Sequence, residues 1–111
     1  MNKVKFSKPD ILPGDINLVK KIIKSGWLTH GKYTNLFEKK FNVYTNSKYA
    51  ITVSSCTAAL HLSCLASGFK KGDEIIVPSM SHTATAHAVE YTGAKVVFSE
   101  IDKLTGNITL D

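Results

Sequence analysis

Arginine is missing from this sequence: all 14 basic residues are lysines. Sequence-specific reading of base edges leans on bidentate arginine, so the absence argues against a nucleic-acid reader. Cysteine is scarce. Cys56 and Cys64 form neither a CxxC pair nor a zinc spacing, and free thiols are expected. His30, His61, His82 and His87 include no HExxH arrangement, so no metal site is expected. Neither a GxxxxGK[ST] loop nor a GxGxxG turn occurs, which removes the P-loop and the dinucleotide fingerprint. No apolar run approaches the ~18 residues that span a bilayer, so no membrane partner is expected. Met1-Asn2-Lys3-Val4-Lys5-Phe6 lacks the apolar stretch of a secretion signal, and the expected compartment is the cytoplasm.

What is present suits a folded chain. With 43% hydrophobic and 21% charged residues, wholesale disorder is excluded. A length of 111 residues allows one domain at most. The net charge of +5 is uneven. Residues 1–48 carry ten lysines against Asp10, Asp15 and Glu38, whereas residues 49–111 carry four lysines against six acids. The basic half reads as a lysine-rich helical surface, with an electrostatic pull on an anionic substrate as the alternative.

Pro13-Gly14-Asp15 is a turn signal with Asp15 as expected N-cap, and Ile16, Val19, Ile22 and Ile23 recur at helical spacing. Ser25-Gly26 stops that helix. Trp27 to Gly31 has no period and reads as a loop. Leu36, Phe37, Phe41 and Tyr44 mark a second helix, with Asn35 and Glu38 as a capping-box variant. The pattern then changes. Residues 49–53, 74–77 and 95–98 read as strands, and a helix from Ala58 to Ala66 and another from about His82 to Thr92 lie between them. Ser79 or Ser81 is the expected cap of the latter. Ile108-Thr109-Leu110 can begin a further strand. The order β-α-β-α-β predicts an α/β fold with a mostly parallel sheet and flanking helices. Residues 1–48 are expected to form an N-terminal helical arm, and residues 49–111 the start of an incomplete α/β domain.

Ser54-Ser55-Cys56-Thr57-Ala58 joins a strand end to a helix start, where open N–H groups and the helix dipole suit a phosphate. Plain helix capping uses the same residue types. His82 follows the second strand, where a flat ring can meet a ligand or simply start a helix. Trp27, the sole tryptophan, lies in a loop that can line a site or plug an interface. Cys56 has no evident base partner and is not read as a nucleophile. His61 and His87 fall within helices, where packing or exposure to solvent is expected.

Several segments occur together in a fixed order: Gly26-Trp27-Leu28-Thr29-His30-Gly31, Phe37 to Phe41, Ser54 to Leu62, Gly72 to Ser79, Thr83 to Ala86, Gly93 to Phe98, and Ile101-Asp102. From about Pro9 to Asp111 the chain resembles the N-terminal part of the DegT/DnrJ/StrS family of nucleotide-sugar aminotransferases. The resemblance implies the large domain of the aspartate-aminotransferase fold (fold type I), pyridoxal 5'-phosphate as cofactor, and a homodimer. It implies amino transfer from glutamate or glutamine to a nucleotide-linked keto sugar, as in polysaccharide biosynthesis. By position, the backbone amides of Thr57 and Ala58 would hold the cofactor phosphate and His82 would stack on its ring. Trp27 and Thr29 would lie in a substrate loop. The family usually has Gly at position 56 and often Phe, Tyr or Trp at position 82. No lysine here matches the one that anchors the cofactor covalently, so no catalytic residue is assigned. The chain is expected to be an N-terminal fragment, inactive alone. Some relatives dehydrate sugars instead of aminating them. A small non-catalytic βαβ binding module is the alternative from another class.

Overall fold

The computed structural model describes residues 7–109. The chain divides into two compact units, Met1–Thr52 and Val53–Asp111. Among the described residues no helix is long and apolar enough to cross a membrane.

The first unit contains α1 (Pro13–Lys24) and α2 (Lys32–Thr45). Proline opens α1 because a helix's first N–H needs no intrahelical partner. Leu12, not Asp15, holds the N-cap. Asp15 sits one turn inside, and its Oδ2 accepts from the Leu12 amide at 2.9 Å. Gly26 ends the helix at a φ of 71°, a left-handed conformation that costs glycine nothing. Helix α2 starts three residues before the expected Asn35. Asn35 lies in its first turn and donates its amide to the Gly31 carbonyl at 3.0 Å. Glu38 does not cap either: its Oε1 accepts from the Thr52 amide and the Thr52 Oγ1, both at 2.8 Å. That contact ties residues 49–52 to α2. The expected strand at 49–53 does not form: among the described residues no neighbouring strand pairs with it, and the Thr52 N–H is engaged by the carboxylate.

The second unit runs α3 (Cys56–Ala66), β1 (Glu74–Pro78), α4 (Ala84–Glu90) and β2 (Lys95–Ser99). The strands are parallel neighbours, in register from Glu74 opposite Lys95 to Pro78 opposite Ser99. Parallel pairing demands a crossover, and α4 supplies it. Helix α4 packs on α3 and on both strands. The core is Val77, Val89 and Ala94, with Cys64, Phe69, Ile75 and Val96 packed against them. Alternation along β1 puts Ile75 and Val77 on the core side and leaves Ile76 64% exposed. Ala88 is 1% exposed, in keeping with a small residue where α4 meets its neighbours. The Glu74–Lys95 ion pair at 2.6 Å bridges the strand starts, but both side chains face solvent, where such pairs stabilise little. After β2, Asp102 accepts from the amides of Thr105 and Leu104 at 2.7 and 3.0 Å. The Thr105 bond first of all holds the Asp102 carboxyl below the usual carboxylate range. Ile108 then forms an isolated antiparallel bridge with Ile101 instead of a full strand, and Leu110 lies outside the described residues.

Candidate functional site

Ser55 adopts an extended conformation, φ −159° and ψ 161°, and its Oγ accepts from the Ala58 amide at 3.1 Å. Its carbonyl takes the Ala59 amide at 3.1 Å. This cap starts α3 at Cys56, two residues before the predicted Ala58, because a serine in β geometry satisfies the N3 amide. The amides of Cys56 and Thr57 remain as first-turn donors beyond the reach of intrahelical bonding. Thr57 and Ala58 are half-buried, and Cys56 is an exposed free thiol. The segment 54–58 thus offers small side chains and outward-facing donors at a helix start, the local chemistry an anion needs.

The carboxyl ends of β1 and β2 border a cavity of about 370 Å³. Val77, Pro78 and Phe98 give it apolar walls, and Ser79, Ser81, His82, Thr83 and Thr85 supply polar ones. Ligands of open α/β sheets gather at this end. His82 is not within α4, which begins at Ala84 instead of His82 and ends at Glu90 instead of Thr92. Thr83, not Ser79 or Ser81, holds the N-cap of α4 without a side-chain cap bond, and the His82 Nδ1 one residue earlier accepts from the Ala84 amide at 3.1 Å. With Nδ1 accepting, the neutral ring carries its proton on Nε2. Ser81 Oγ and Thr85 Oγ1 pair with each other at 2.7 Å. His87 also borders the cavity and stacks on Tyr91 at 6.1 Å, while His61 meets the same ring edge-on at 5.3 Å. Both histidines therefore pack, as two residues on facing helices do.

Of the expected cofactor residues, the structure puts His82 in the cavity, and Thr57 and Ala58 are not among its lining. All three belong to the second unit. Trp27 and Thr29 belong to the first, in the connection between α1 and α2. There the Trp27 Nε1–H donates to the His30 carbonyl at 2.8 Å, and the Trp27 amide donates to Ser25 Oγ at 3.3 Å. Sequence reading missed two elements of this geometry. The Glu38–Thr52 contact spans 14 positions and leaves no local pattern. The packing of Gly31 against the indole had a signal, a glycine four residues after the tryptophan, that reads equally well as an ordinary loop glycine.

Among the described residues no three His, Cys, Asp or Glu side chains form a group that could hold a metal ion. Residues 9–111 match the profile of the DegT/DnrJ/EryC1/StrS aminotransferase family. The spore coat polysaccharide biosynthesis protein SpsC of Bacillus subtilis is 41% identical over 103 residues, covering 93% of this chain and 26% of that protein. GDP-perosamine synthase of Escherichia coli O157:H7 is 35% identical over 111 residues, covering 99% of this chain and 30% of its own. The chain thus spans less than a third of the length of these curated relatives. Among solved structures, E. coli GDP-4-keto-6-deoxy-D-mannose-3-dehydratase with bound hydrated PLP superposes with a TM-score of 0.87 at 32% identity, over 98% of this chain and 30% of that one. Fold, order of elements and sequence agree over nearly the whole chain: it belongs to the DegT/DnrJ/EryC1/StrS aminotransferase family.

Proposed function

We propose that the chain forms the N-terminal, cofactor-contacting part of a pyridoxal-phosphate-dependent aminotransferase that moves an amino group from glutamate or glutamine to a nucleotide-linked keto sugar. The observation that carries the reading is the family match across residues 9–111. In this reading residues 1–48 are the helical arm and residues 49–111 begin the cofactor-binding domain of a cytoplasmic homodimer.

The residues present fit the cofactor's phosphate. The start of α3 combines small side chains with the open amides of Cys56 and Thr57, and the Ala58 amide is shared with Ser55 Oγ. His82 lends a flat ring at the strand ends, held in orientation by its bond from Ala84. Trp27 and Thr29 serve the sugar nucleotide. When bound, the cofactor acts as an electron sink for the transfer. The covalent anchor and the partner of the pyridine nitrogen are not found among these residues, so residues 1–111 alone are expected to show no turnover. Sugar dehydration is the second reading, favoured by the structural likeness to a 3-dehydratase.

The test is a chimaera in which this chain replaces the matching N-terminal segment of GDP-perosamine synthase. Loading with cofactor, followed by absorbance, and formation of an amino sugar from a GDP-linked keto sugar are expected. Failure to load cofactor would refute both readings. His82→Phe keeps the ring but loses the acceptor for Ala84, whereas His82→Asn keeps an acceptor and loses the ring. A stacked ring is worth about 0.5–1.5 kcal/mol beyond burial. Several-fold weaker loading for Asn than for Phe is therefore expected, and the reverse order would point to a capping role alone.

A further inference from the structure

We infer that Gly31 is a positioning residue for the substrate loop: its lack of a Cβ leaves the room that the Trp27 indole occupies, and so sets how Trp27 and Thr29 are presented. The inference rests on the aminotransferase reading for its substrate and on geometry for the rest. A Cβ built on Gly31 would lie 2.5 Å from the indole Nε1 and 2.9 Å from Cδ1. Real Cβ atoms do not approach so closely, so any side chain at position 31 displaces the indole or the loop. The demand for glycine is steric, since Gly31 has a φ of 171°, extended backbone that any residue adopts.

Trp27 is held at both ring and backbone. Its Nε1–H donates to the His30 carbonyl at 2.8 Å, its pyrrole atoms lie against Gly31, and its backbone amide donates to Ser25 Oγ at 3.3 Å. Ser25 Oγ in turn donates to the Ile22 carbonyl at 2.6 Å, the last turn of α1. Gly31 is the N-cap of α2, and its carbonyl accepts the Asn35 amide at 3.0 Å. The loop is therefore clamped between the end of one helix and the start of the next, with Thr29 inside it. Yet Trp27 remains 61% exposed. A ring hydrogen bond and a close Gly31 contact, with a further bond to the backbone amide, on a residue whose side chain buries so little make poor sense as core packing. They make good sense as preorganisation, because a surface ordered before binding spares the ligand the cost of ordering it.

Trp27 is the only tryptophan, so intrinsic fluorescence of the 111-residue chain reports on this ring alone. Gly31→Ala should turn slow, restricted anisotropy decay into fast local motion and raise the acrylamide quenching constant, with helix content by circular dichroism unchanged. Gly14→Ala is the matched control, since a Cβ there meets nothing within 4 Å. It should leave the fluorescence as in the wild type. Equal anisotropy decay in wild type and Gly31→Ala overturns the positioning role. In the chimaera, Gly31→Ala should raise KM for the keto-sugar nucleotide several-fold with kcat and cofactor absorbance retained, and Trp27→Phe, which lacks the donor to His30, should do the same. A released indole with unchanged KM would make the clamp a structural device only and overturn its link to substrate. A wild-type chimaera that loads no cofactor overturns the functional reading itself, a result visible without any variant.

Discussion

Glu38 ties residue 52 back to α2 through a single carboxylate oxygen. Two donors from Thr52 meet its Oε1, the backbone amide and the hydroxyl. The amide bond above all, and the hydroxyl after it, hold the Glu38 carboxyl below its ordinary range, with His30 adding a small pull in the same direction. The folded-state value lies below the unfolded one, so the contact stabilises above the ordinary glutamate range and fades as pH falls through the lowered value. The Thr52 amide should therefore resist hydrogen exchange at neutral pH and lose that protection in acid, after correction for intrinsic rates. Glu38→Ala should remove the protection at all pH values. Glu38→Gln should keep part of it and flatten the pH dependence. Equal protection in Glu38→Ala and wild type, measured by amide exchange, would show that the bond is not formed in solution.

Helix starts matter most at the scale of elements, because each one here is capped differently. α1 uses proline and a carboxylate one turn in, α2 a glycine, α3 a serine, and the segment before α4 an imidazole nitrogen. Only the α3 cap is a serine in extended geometry that accepts an N3 amide. Ser55→Ala should lower stability by about 1 kcal/mol, and Ser55→Gly by only a few tenths. Urea titration followed by circular dichroism checks both. An Ala variant as stable as the wild type would mean that the start of α3 frays.

Over the whole molecule, the balance of burial is unusual. Ile76 and Phe98, on the two strands, are each 64% exposed, and Met80 and Tyr91 are similarly open. None of the residues of α1 and α2 is buried. Among the described residues the sheet has two strands, so each presents an unpaired edge. Open edges and apolar faces drive association. The isolated chain should sediment as concentration-dependent oligomers and bind a hydrophobic dye, and Ile76→Lys should reduce both. A dye-silent monomer across the concentration range would contradict this reading of the surface.

Periodicity and punctuation in the sequence determined the elements that rest on local chemistry. Ile16, Val19, Ile22 and Ile23 with Ser25-Gly26 mark α1, Gly68 closes α3, and the apolar runs at 75–77 and 96–98 mark the paired strands. The parallel sheet follows from their alternation with helices, and the family from the order of the motifs. Tertiary structure decided what depends on partners distant in the chain or on side-chain shape. The run at 49–53 has strand composition, but a strand exists only where a neighbour takes its backbone groups, and among the described residues none does, while Glu38 accepts the Thr52 amide. The helix expected from His82 begins at Ala84, with Thr83 as N-cap and the His82 imidazole accepting the Ala84 amide. The place of the Trp27 indole depends on the missing Cβ of Gly31, a steric fact that composition and period do not encode.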